Sequence, residues 1–126
     1  MHWSAPIGCL VMLAGSAGVA GAIPPPPPPP PCSFTLSAPV PAGAVVTVTV
    51  ESTGCAAAAV PYSTVACLQA PGAPIRCAQG RGAGPAQVSV PYAPGQFVAS
   101  GRGCAGWVGL PPAPDCQNLG PTATTL

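Results

Sequence analysis

Any chemistry this chain performs must come from very few side chains. Its cations are Arg76, Arg81 and Arg102, its carboxylates are Glu51 and Asp115, and it has no lysine. The one histidine, His2, lies at the head of an apolar N-terminal segment. General acid–base catalysis would therefore fall to two carboxylates. Glu51 closes the β-branched run VVTVTV, and Asp115 sits beside Cys116 in a proline-rich stretch, so nothing in the pattern pairs them. Two solvated surface carboxylates are the simpler reading. A serine nucleophile would have no histidine to take its proton. The chain reads as a non-enzyme without a cofactor.

Cysteine is the remaining reactive type. Beyond Cys9 there are six: Cys32, Cys55, Cys67, Cys77, Cys104 and Cys116. An even number in an exported chain implies disulfides. Zinc would need four widely separated thiolates, since there is no CxxC pair and no histidine past residue 2, and is disfavoured. Thiol exchange usually shows CxxC with positive charge nearby, and only Arg76 flanks a cysteine. Cys67 and Cys77 are symmetric about Gly72 in the turn signal Ala-Pro-Gly-Ala-Pro. Proline presets φ there and glycine accepts positive φ, so the two thiols should face each other across a hairpin. Cys32 and Cys55 are symmetric about Gly43-Ala44, and Cys104–Cys116 follows by elimination.

For binding, Arg76, Arg81 and Arg102 fall on expected hairpins or turns, with Tyr62, Tyr92 and Trp107 as candidate aromatic neighbours. These three residue types are enriched in interface hot spots. The plainer alternative is that the arginines give solubility and the aromatics fill the core. A partner would be a protein, a glycan or a small apolar ligand. The net charge of +1 argues against nucleic acid, which needs several cations on one face, and against a polybasic membrane binder.

These residues sit on a segmented chain. Residues 1–22 read as a secretory signal: an apolar run from Ile7 to Val19, then Ala20-Gly21-Ala22 as the small-residue cleavage site. The run is short for a membrane span, but no Lys or Arg precedes it, so an uncleaved anchor is the competing reading. Cleavage would leave no stable membrane insertion and a secreted or envelope-associated protein. Residues 23–31 form a polyproline stalk. Pro24 to Pro31 should adopt a stiff left-handed helix of about 25 Å at ~3.1 Å per residue. It could be a ligand for a proline-recognition module, but no flanking arginine fixes a direction, which favours a spacer.

From residue 32 the hydrophobicity alternates with period two. Strands are expected at 33–38, 44–52, on both sides of Gly72, and at 87–92, 96–100 and 104–110. Residues 56–61 should form a loop, because Pro61 closes too short a run for a helix. Gly80–Pro85 and Gly101-Arg102-Gly103 should turn the chain. The expected core is Phe34, Leu36, Val46, Val48, Val50, Val65, Ile75, Val88, Val90, Phe97 and Trp107, with Tyr92 also inward. About seven short strands joined by Gly/Pro turns describe an all-β, small immunoglobulin-like β-sandwich over residues 32–116. So small a core would lean on its disulfides, at ~2–4 kcal/mol each. Residues 117–126 should be a disordered tail.

Three stretches resemble the neocarzinostatin family, small exported apoproteins of actinobacteria: AGAVVTVTV after FTLSAP, the Cys67–Cys77 hairpin with its ten-residue step, and GCAGWVGLP. The resemblance implies an immunoglobulin-like sandwich. It also implies a ligand cleft against the hairpin, where that family holds an apolar chromophore. Cys32, Cys55 and Cys116 are additions, and Cys104 lacks the close partner of the family's second disulfide. Two functional readings stand: a binding or interaction module of the cell exterior, including a carrier of a small apolar ligand, or a structural envelope component with no discrete ligand. An apolar pocket beside the hairpin would favour the first and a flat packed surface the second.

Overall fold

The computed structural model describes residues 23–26, 30–111 and 115–126. The expected leader, 1–22, lies outside the described residues, as does the middle of the proline run. Eight strands follow in order: β1 (Cys32–Leu36), β2 (Val40–Ala42), β3 (Val45–Cys55), β4 (Ala59–Gln69), β5 (Arg76–Gln79), β6 (Ala86–Pro91), β7 (Gln96–Trp107) and β8 (Asp115–Thr125). All strand pairs are antiparallel.

In the first sheet β3 is central. Val50 pairs with both Leu36 and Ala86, and Val46 with both Pro41 and Val90. Hence β1 and β2 lie end to end along one side of β3 and β6 lies along the other. Ser37 bridges the break between them: its N–H donates to the Thr49 carbonyl and its hydroxyl accepts from the Thr49 N–H, each at 2.9 Å. Counting β1 and β2 as one interrupted strand leaves seven positions. The second sheet runs β5–β4–β7–β8. The chain changes sheet at β3–β4, β5–β6 and β6–β7, which is the immunoglobulin-like arrangement of a disulfide-stapled sandwich.

Two-residue alternation builds the core between the sheets. Val46, Val48, Val50, Ala66, Leu68, Ala70, Ala86, Val88, Val90, Phe97 and Ala99 form one buried cluster. Cys32, Phe34 and Ala105 form a second, near the end where the proline run enters. Pro31 is buried there and its carbonyl accepts the Ala56 N–H at 2.8 Å, so the stalk is anchored at its root.

Several expectations are corrected. Val65 is only half-buried, because it shares a face with Cys67, and Ala66 and Leu68 point inward instead. With apolar residues on both parities, the hydrophobic pattern alone cannot orient this strand. Ile75 lies in the hairpin turn at 61% exposure, and Tyr92 and Trp107 lie at strand ends, 46% and 40% exposed. Residues 56–61 are not a loop throughout: β4 starts at Ala59. Pro61 is tolerated because β5 pairs only with Val65–Leu68, leaving β4 without a second neighbour at Pro61, just before a bulge.

Gly101-Arg102-Gly103 is no turn either; it is the middle of β7. A Cβ on Gly103 would lie 2.2 Å from the Phe34 ring, and one on Gly101 would lie 2.5 Å from Val50 Cγ2. These glycines make room for side chains of the opposite sheet. The disordered tail expected at 117–126 is strand β8, paired with β7 from Gln96↔Thr125 to Ala105↔Asp115. Leu119 packs on both core clusters and Leu126 on the larger. Gly120-Pro121 reads as a strand breaker, but an edge strand accepts it.

The three disulfides are Cys32–Cys55, Cys67–Cys77 and Cys104–Cys116. Each joins directly opposed residues of neighbouring strands, with Cα atoms 4.0–4.1 Å apart. Each lies within one sheet, and none ties one sheet to the other.

Candidate ligand-binding site

The turn after β4, residues 70–75, and the β6–β7 connection, residues 92–95, meet at the end of the sandwich opposite the stalk. Three local features hold them. The Tyr92 N–H donates to the Ala44 carbonyl at 2.9 Å. Gly95, at φ 134°, lies so close to Pro71 that a Cβ there would be 2.8 Å from the proline ring, which is why the position needs glycine. The Gln69 side-chain amide donates to the Ala73 carbonyl at 3.0 Å and braces the turn from within.

Between them lies a pocket of about 240 Å³. One wall is the turn, with Ala70, Pro71, Ala73 and Pro74, and the other is Val90, Pro91, Tyr92 and Ala93. Arg76, the first residue of β5, completes the lining. It pairs with Leu68, an inward residue, so register sends Arg76 toward the pocket side of the hairpin. Behind the pocket the Tyr92 ring stacks on buried Phe97, with centroids 6.4 Å apart and planes 20° from parallel. Arg76 is the only charged residue of the lining, and the Tyr92 hydroxyl the only other polar side-chain group. Glu51 and Asp115 are both toward the stalk end, opposite Thr35 and Ala105.

The structure thus brings together two of the candidate binding residues, Arg76 and Tyr92. The other four lie elsewhere. Arg81 is exposed in the β5–β6 connection. Arg102, expected on a turn, is exposed in mid-strand between Val65 and Asn118. Tyr62 projects beside Gly106 at the β4 bulge, and Trp107 ends β7 opposite Ala59. Both are at the stalk end. Sequence reasoning missed the pocket walls, although a signal was present. The turns QAPGAP and PYAPG have almost no polar side chains, whereas turns that face only water usually carry Asn, Asp or Ser.

The six disulfide-bonded cysteines have no free thiolate to offer a metal or a substrate. Three intramolecular disulfides fit an oxidising, extracellular setting. Among the described residues no helix is long and apolar enough to cross a membrane. No protein-family model, curated protein or solved structure matches this chain.

Proposed function

We propose that this protein is a secreted, non-catalytic binding module of the cell exterior, and that its ligand site is the pocket between the β4–β5 hairpin and the β6–β7 connection. The observation that carries the reading is the pocket itself: concave, mostly apolar, with two polar groups, built on turns that a disulfide and a glycine contact hold in place. Preorganisation of this kind lowers the cost of binding. A purely structural component has no use for an apolar hollow lined by two polar-poor turns. The absence of histidine beyond residue 2, together with two distant carboxylates, supports a role without catalysis. The pocket also lies on the hairpin side, where the neocarzinostatin resemblance would put a ligand.

The test is amide shift mapping by NMR on residues 23–126, a segment that carries all eight strands, all three disulfides and both core clusters. A neutral probe, 4-tert-butylbenzamide, is titrated to millimolar concentration. Saturable shifts confined to Ala70, Ala73, Arg76, Val90, Tyr92 and Ala93 are expected. Shifts absent there, or scattered over the surface, would return the protein to the structural reading.

A further inference from the structure

We infer that the ligand class is a small apolar acid: one compact hydrocarbon body carrying one carboxylate, the body in the pocket and the carboxylate on Arg76. This rests on the pocket being the ligand site and specifies what enters it.

Size comes first. At about 240 Å³ the pocket is below the ~300–1,000 Å³ typical of drug-sized ligands. It therefore takes a short branched or aromatic body, not a long chain or a sugar polymer. The walls of alanine, proline and valine offer contact area and no side-chain hydrogen bonds.

Charge comes second. Arg76 has no acidic neighbour on the hairpin, since Glu51 is on β3 opposite Thr35 and Asp115 is on β8 opposite Ala105. Arg76 is exposed and lines the pocket, and a long basic side chain in such a place can cover apolar surface with its stem while its head stays hydrated. A neutral body entering the pocket would strip water from part of the guanidinium and give no acceptor in return, which is unfavourable. A carboxylate supplies that acceptor, and guanidinium and carboxylate match as a two-point fork. The Tyr92 hydroxyl is the second donor the lining can offer. The site therefore discriminates against the neutral analogue as well as attracting the acid.

Matched probes separate the two levels of the argument: 4-tert-butylbenzoate against 4-tert-butylbenzamide, and pivalate against pivalamide, at pH 7 and low salt. Each acid should bind about tenfold more tightly than its amide, the scale of a hydrogen bond to a charged group. The preference should shrink in added salt, because Arg76 is exposed. In Arg76→Gln the acid should lose its advantage and bind no more tightly than the amide does to the same variant. Arg81→Gln, an exposed arginine outside the pocket, should keep the full preference. Equal binding of acid and amide in the unaltered protein, or a preference that survives Arg76→Gln, overturns the acid inference and leaves the pocket as a neutral apolar site. Failure of every probe to shift the pocket residues overturns both.

Discussion

Gly103 and Gly54 show how differently one residue type can act within strands of the same sandwich. A methyl group on Gly103 would meet three atoms of the Phe34 ring at 2.2–2.6 Å, while one on Gly54 would meet nothing within 4 Å. Phe34 cannot simply retreat, since it is packed with Cys32 and Ala105. Gly103→Ala should therefore cost about 3 kcal/mol, the upper part of the overpacking range. Gly54→Ala should be neutral or stabilising by a few tenths of a kcal/mol, through a less flexible unfolded chain. Paired denaturant melts would check both. Thr64 is the one buried polar side chain among the described residues, and its hydroxyl donates to the Gly84 carbonyl at 2.9 Å. Thr64→Val keeps the shape and removes the donor. It should cost about 1–2 kcal/mol, with faster amide exchange at Gly80, whose N–H donates to the Thr64 carbonyl. Neither residue's role is visible in sequence. A glycine that admits a ring from the other sheet looks the same as a glycine that turns the chain, which is why Gly101-Arg102-Gly103 reads as a turn.

At the scale of the element, legibility followed hydrophobic contrast. β3 and β6 alternate valine with Thr, Ser or Gln, and their inward faces are readable from residue types alone. The Cys67–Cys77 hairpin is readable because the turn signal sits midway between two cysteines. β4 is apolar on both faces, and only the partner sheet decides that Leu68 points in and Val65 does not. β8 carries almost no alternation, and the information that makes it a strand resides in β7, along which it pairs. Deleting residues 119–126 should thus be far more damaging than trimming a tail. It removes Leu119 and Leu126 from the core and uncovers one side of β7. The expected result is loss of a cooperative thermal transition by calorimetry. For the hairpin, replacing Cys67 and Cys77 together by alanine should cost about 2–3 kcal/mol for so short a loop. The probe shifts at Ala73 and Arg76 should weaken with it, since the pocket wall is the turn the disulfide closes.

For the whole molecule, the pocket was the least legible feature. It arises where two loops distant in sequence meet, and each alone is only an apolar turn. Arg76 and Tyr92 could be nominated by residue type, but so could Arg81, Arg102, Tyr62 and Trp107, and only topology separates the pair from the rest. The same topology has a mechanical consequence. The three disulfides close consecutive, non-overlapping spans of 23, 10 and 12 residues along the chain. A molecule held at Cys32 and pulled from its far end would part its two sheets without meeting a covalent cross-link between them. It would then stop short, because each closed span withholds its own length from the stretched chain. Adding a reductant to a molecule held under constant force should release three separate extensions in proportion to those spans, each residue contributing at most ~3.3–3.6 Å. The covalent frame of this protein thus acts as three independent slack-limiters in series, and the sandwich drawn out from its two ends would yield by a bounded distance.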